Sequence, residues 1–324
     1  MIDAAAIAEA GERIAPHVTR TPLFRSEPMS ERHGADLWIK AEHLQRTGSF
    51  KVRGSANFVH ALDAAEAALG VVTASSGNHG IGVATAAASR GIDCTIFLPS
   101  TASASKVAAI SRLGAEIVTV DSTDTADAEA AARRHAEQVG VSFISPYNDP
   151  AVIAGQGTIG KEILEDAAEA PDAIVVSVGG GGLISGIATW VAAQSPATRI
   201  IAASALNDRA MAASVAAGFI IDPSAQPTFS DGTAGGLEAD TITFPVCVEY
   251  VDDWIDVDEA SIAGAVSSMI DDHHQLVEGS AGLALAAAGA YADRHPGSTV
   301  VAVSCGANVS AATLKRMLDV AAPR

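Results

Sequence analysis

The chain has 324 residues, 48% of them hydrophobic and 18% charged, enough apolar side chain for a large folded core and too much for a disordered protein. Its 38 acidic residues against 20 basic ones give a net charge of −18, which repels nucleic acid and anionic membranes and excludes both as expected partners. An anionic cofactor stays admissible, because backbone amides at a helix N-terminus bind phosphate without a basic surface.

The N-terminal stretch MIDAAAIAEAGERIAPHV mixes apolar and charged residues like an amphipathic helix and lacks the apolar core of a signal peptide. No apolar run reaches membrane-spanning length without glycine or polar breaks, so a cytoplasmic, soluble chain is expected. From Gly70 onward, short β-branched runs precede Ala-rich helical stretches. Residues 70–74 lead into 76–90, 94–98 into 103–113, and 116–120 into 126–139, with 142–144 closing the group. A second series follows: 173–178, a glycine run and a helix over 183–194, then 199–203 before 209–217. The run 299–303 ends at a glycine-containing turn before a last helix. Such alternation predicts an α/β fold with two parallel-sheet lobes and a site between them, at the C-terminal strand ends. Residues 222–239, rich in Pro, Ser and Gly, form the longest expected loop.

Cys94, Cys247 and Cys305 belong to no CxxC or Cys/His cluster, which argues against a disulfide framework and structural zinc. Asp271, Asp272, His273 and His274 are adjacent on a helix and point different ways, so a helix end is expected there and no metal site. Trp190, Trp254, Cys94 and Cys247 read as packing residues.

Three segments carry chemistry. In Gly48-Ser49-Phe50-Lys51-Val52-Arg53-Gly54 a lysine between apolar neighbours is partly desolvated, which lowers its pKa and frees an amine for imine formation. A lysine in a turn is otherwise an ordinary surface residue. Ala74-Ser75-Ser76-Gly77-Asn78-His79-Gly80 sets small hydroxyls and amides at a strand end, suited to a carboxylate or equally to an ordinary N-cap. Gly179-Gly180-Gly181-Gly182 follows an apolar strand and opens a helix, where its amides can converge on a phosphate or simply make a tight turn.

SFKVRG, SSGNHG and VGGGGLISG in this order and spacing resemble the fold type II pyridoxal-phosphate enzymes, specifically the threonine/serine dehydratase and serine racemase family. TPL at 21–23, IAGQGT at 153–158, VEGSAG at 277–282 and CGAN at 305–308 extend the resemblance from Thr21 to Val309. It implies a tryptophan-synthase-β-like architecture: a large cofactor-binding domain from residues 1–69 and 148–324, and a small substrate-loop domain from 70–147. It implies pyridoxal 5′-phosphate as cofactor, with Lys51 forming the Schiff base and serving as the proton-transfer base. Phe50 is expected against the ring, Asn78 at the ring hydroxyl, Cys305 at the pyridine nitrogen, and Gly179, Gly180, Gly181, Gly182 and Leu183 at the phosphate. Ser75, Ser76, Gly77 and His79 are expected around the substrate carboxylate, and Ser76 also carries protons in related racemases.

The implied reaction is dehydration and deamination of threonine or serine to a 2-oxo acid and ammonia, in a homodimer. A racemase, a hydroxyaspartate-type dehydratase and, in a different class, a β-replacement synthase are the alternatives. Two departures stand out. Ser204-Ala205-Leu206 occupies the place of the family's cation-binding VEP, so no metal is expected, and cysteine rather than the commoner serine stands at 305. Isoleucine control is not expected either.

Overall fold

The structure is a computed structural model that describes residues 2–321. Its strands are β1 (Leu23–Arg25), β2 (Asp36–Lys40), β3 (Val71–Ala74), β4 (Cys94–Pro99), β5 (Glu116–Val120), β6 (Ser142–Phe143), β7 (Ala173–Ser177), β8 (Arg199–Ala205), β9 (Asp253–Val257) and β10 (Thr299–Val303). The helices begin with α1 (Ala4–Ile14), α2 (Glu27–His33), α3 (Lys51–Ala61), α4 (Ala64–Leu69), α5 (Asn78–Arg90), α6 (Ala104–Ser111) and α7 (Thr125–Val139). They continue with α8 (Pro150–Asp166), α9 (Gly182–Gln194), α10 (Ala210–Ala217), α11 (Thr243–Tyr250), α12 (Glu259–His273), α13 (Gly279–Arg294) and α14 (Ala311–Val320).

The strands form two sheets, ordered β1-β2-β10-β7-β8-β9 and β5-β4-β3-β6. Every pairing is parallel except β1 with β2. All seven strands expected from the sequence form, and β1, β2 and β9 add edges that it did not announce. β1 is three residues long, and β9 carries Asp253 and Asp256 among its five, so neither gives an apolar run.

Alternate residues of the smaller sheet enter different cores, as a period of two requires. Val71, Ile96 and Leu98 pack with Val83, Ala84 and Ile110, and with Val52, Ala56 and Val59 of α3. Val72 and Phe97 face the other way, onto Ala132 and Ala136 of α7. In the larger sheet all five residues of β7 are buried, which fits a central parallel strand covered on both faces. Each fully buried Val or Ile there contributes about 1.5–3 kcal/mol. Thus α3 grips the smaller sheet's core with Val52, Ala56 and Val59, while its first residue, Lys51, lies close to the ends of the larger sheet's strands.

Trp190 and Trp254 pack against hydrophobic clusters, and burial pushes the thiols of Cys94 and Cys247 up to about 12. Asp271–His274 does end a helix, with His274 in a left-handed C-cap. His273 is tied down there, bonded through Nε2 to Ser26 Oγ at 2.8 Å, and Asp272 pairs with Arg32 at 3.2 Å.

Candidate active site

Hydrogen bonds continue past the ends of β2 and β10 and zip the segment before Lys51 onto the segment after β10. Ser304 N donates to Lys40 O at 3.0 Å, Phe50 N to Cys305 O at 3.1 Å, and Ala307 N to Gly48 O at 2.8 Å. Gly48 has φ +73°, and a Cβ there would stand 2.7 Å from Asn308 Oδ1, so both conformation and space require glycine. This zipper brings Lys51 and Cys305 together across 254 positions of sequence.

The Lys51 amine donates to Pro146 O at 2.8 Å and lies 5.2 Å from the centroid of the Phe50 ring. Burial lowers it to about 8, partly offset by Cys305 and Glu278. At neutral pH a useful fraction is therefore the free amine that condensation with an aldehyde needs. Cys305 is buried beside the end of β7, and its Sγ accepts from Ser177 Oγ at 3.6 Å. Burial first, then the Glu278 carboxylate, pushes the thiol well above its ordinary range, so it stays protonated.

Asn78 opens α5 and donates through Nδ2 to both Glu278 oxygens, at 2.9 and 3.1 Å. Its Oδ1 accepts from Asn308 Nδ2 at 2.7 Å, and Asn308 N donates to Glu278 Oε2 at 3.0 Å. Glu278 is the group that sequence reasoning left out, although VEGSAG contains it. It is buried, and burial raises it to about 7, with Asn78 opposing and Asp231 adding to the rise. A carboxyl raised in the folded state binds its proton more tightly than in the unfolded chain, so folding loses stability as pH climbs from the ordinary carboxylate range through 7. The loss of melting temperature between pH 5 and pH 8 is expected to be smaller in Glu278→Gln than in the parent, by on the order of 2 kcal/mol in stability terms. Calorimetry at both pH values checks this; equal slopes would mean that Glu278 does not titrate between pH 5 and pH 8.

Close packing explains the four glycines. A Cβ on Gly180 would meet the Tyr147 ring at 2.4 Å, one on Gly182 the Tyr147 Cα at 2.9 Å, and one on Gly179 the Thr233 carbonyl oxygen at 2.6 Å. Gly181 has φ +86° and caps α9 without a side chain. Tyr147, the other residue missed, is pinned by accepting Glu238 N on its hydroxyl at 2.9 Å. The cradle therefore has bare backbone and an uncapped helix end, which fits a phosphate group. With a lowered lysine amine, an aromatic face and a neutral thiol close by, the donor set fits pyridoxal phosphate.

Ser75, Ser76 and Gly77 form the half-buried turn between β3 and α5, with Ser75 Oγ accepting Gly77 N at 3.1 Å. His79 is buried beneath it and bonded through Nε2 to Ile144 O at 3.0 Å. Burial, reinforced by Lys51, lowers His79 to about 3, so the ring is neutral. Its Nε2 carries the proton and its Nδ1 finds no protein partner among the described residues.

A sequence profile for the family described as "Pyridoxal-phosphate dependent enzyme" matches residues 14–306. The L-threonine ammonia-lyase of Thermotoga maritima is 38% identical over 319 residues, 98% of this chain and 79% of that one. The beta-hydroxyaspartate dehydratase of Paracoccus denitrificans is 37% identical over 300 residues, covering 93% and 94%. The solved structure of maize serine racemase superposes with a TM-score of 0.91 at 38% identity, over 98% of this chain and 97% of that one.

Proposed function

We propose that this chain, which belongs to the pyridoxal-phosphate dependent enzyme family, dehydrates and deaminates threonine or serine to a 2-oxo acid and ammonia. The observation that carries the reading is the Lys51 amine, lowered to about 8 and held between the Phe50 ring and Pro146 O close to a neutral Cys305 thiol.

When bound, pyridoxal phosphate supplies an aldehyde that condenses with amines and a ring that stores the electron pair released at Cα. The protein does the rest. Amides of Gly179, Gly180, Gly181, Gly182 and Leu183 hold the phosphate, and Phe50 covers one ring face. Asn78, itself fixed by Glu278 and Asn308, meets the ring hydroxyl. The turn Ser75-Ser76-Gly77 binds the substrate carboxylate, with His79 beneath it as a neutral support. Lys51 takes the α-proton through its free amine. Cys305 offers the pyridine nitrogen a weak neutral donor that cannot stabilise a protonated ring as a carboxylate would. A ring held this way would be only a moderate electron sink, which favours departure of the β-hydroxyl, taking up a proton to leave as water, over persistence of charge at Cα. The released enamine, aminoacrylate from serine or aminocrotonate from threonine, tautomerises to an imine that water hydrolyses to the 2-oxo acid and ammonia.

Racemisation is the second reading, favoured by the Ser76 hydroxyl in the carboxylate turn and by the serine racemase likeness. A keto-acid assay with L-serine and L-threonine, run beside chiral analysis of the recovered amino acid, separates the two. Keto acid and ammonia in equal amounts are expected. Racemised amino acid without keto acid would overturn the dehydratase reading.

A further inference from the structure

A neutral thiol has a single hydrogen to give, and it is both a weak donor and a weak acceptor. To serve a pyridine nitrogen, the Cys305 S–H must point at it, yet an S–H turns about its Cβ–S bond unless a neighbour fixes it.

Ser177 is such a neighbour. It is the last residue of β7, which lies beside β10 in the larger sheet, and it stands two positions before Gly179. The residue is 6% exposed, and its hydroxyl donates to Cys305 Sγ at 3.6 Å. Sγ is the one partner of that hydroxyl among the described residues. Cys305 is itself 2% exposed, and its main chain is held by Phe50 N, which donates to its carbonyl oxygen at 3.1 Å.

A buried hydroxyl and thiol can share their hydrogens in two ways. With S–H turned to Ser177 Oγ, the serine hydrogen loses its partner and sulfur shows the ring nitrogen only lone pairs. With Ser177 donating to sulfur, S–H is left for the nitrogen and each polar group is paired. The second arrangement is the cheaper, because a buried donor without a partner costs its full desolvation. The hydroxyl is also the stronger donor of the two, and a sulfur that accepts a hydrogen bond gives its own more readily. Burial and Glu278 raise the thiol, and the Ser177 bond works against them.

We infer that Ser177 is a positioning residue: its hydroxyl donates to Cys305 Sγ and so aims the thiol hydrogen at the pyridine nitrogen of the cofactor. The inference rests on the placement of Cys305 at that nitrogen in the proposed reaction. The end of one strand, β7, then serves both ends of the cofactor, through Ser177 for the nitrogen donor and the glycine run for the phosphate.

The test loads the parent, Cys305→Ala, Ser177→Ala and Ser304→Ala with pyridoxal phosphate whose ring nitrogen is isotope-labelled, and compares the nitrogen resonances. Losing a donor moves that resonance toward the position of an unbonded pyridine. Cys305→Ala is expected to show the full displacement, and Ser177→Ala most of it although its thiol is intact. Ser304→Ala removes an adjacent buried hydroxyl that has no partner among the described residues, and it should leave the resonance at the parent position. A displacement in Cys305→Ala without one in Ser177→Ala would overturn the inference and leave the Cys305 assignment standing. No displacement in Cys305→Ala would remove Cys305 from the nitrogen, and the aiming role with it; if Ser177→Ala alone moved the resonance, the serine itself would be the donor. An equal displacement in Ser304→Ala would also overturn the inference, since loss of any nearby hydroxyl would then disturb the ring.

Discussion

Lys51→Ala is expected to lower keto-acid formation by about 10³-fold or more and to remove the imine absorbance of the loaded protein. The fold should survive, because Lys51 is half-buried and its amine's hydrogen bond goes to a carbonyl, Pro146 O. Lys51→Arg should be equally inactive, since a guanidinium keeps its proton and cannot condense. The pH dependence follows from the same geometry. Burial places the amine at about 8, so the free fraction rises steeply from pH 7 to 8 and levels above it. Uptake of pyridoxal phosphate by the apo protein should accelerate about fivefold over that interval and then flatten. An imine band that persists in Lys51→Ala would place the attachment at another lysine and remove the basis for the site.

Arg53→Met is expected to destabilise the protein by about 3–5 kcal/mol, a large share of a typical folding free energy. Arg53, Glu42 and Lys40 are fully buried and Glu162 nearly so, two cations against two anions. Arg53 forks onto Glu42 with two bonds of 2.8 Å, onto Glu162 with bonds of 2.7 and 2.9 Å, and reaches Thr158 Oγ1 at 3.1 Å. Lys40 completes the set through Glu162 at 2.6 Å and Thr21 O at 2.7 Å. Burial opposes ionisation of Glu42, but Arg53 outweighs it and holds the carboxyl below its usual range. That contribution is present at neutral pH and is lost as acid protonates Glu42 through its lowered folded value. Without the guanidinium, two buried carboxylates share one lysine. Arg53→Lys should fall between parent and Arg53→Met, because an ammonium cannot fork onto both. Denaturant unfolding measures the series; a loss below about 1 kcal/mol for Arg53→Met would show that the carboxylates find other compensation. Because Arg53 lies in the first turn of α3, the same network fixes the direction in which Lys51 leaves the helix.

The sequence alone determined the parallel α/β architecture and the order of its chemistry-bearing turns. β-branched runs followed by Ala-rich stretches report local burial with the right period, and seven strands were legible for that reason. Lys51, Asn78 and the glycine run were legible because each stands at an element boundary within a short motif. Other features were decided only when distant segments met. Lys40 and Arg53 look like surface charges in sequence, yet they are buried because Glu162 stands opposite, 122 and 109 positions away. Glu278 is an ordinary N-cap candidate until Asn78, 200 positions earlier, donates to it and burial lifts its pKa. The glycine run reads in sequence as a candidate phosphate cradle or a tight turn, and only the fold shows the Tyr147 ring seated on it, which forbids a side chain at Gly180. Periodicity records how a segment is solvated; partners that compensate a buried charge, or fill the space a missing Cβ leaves, come from elsewhere in the chain.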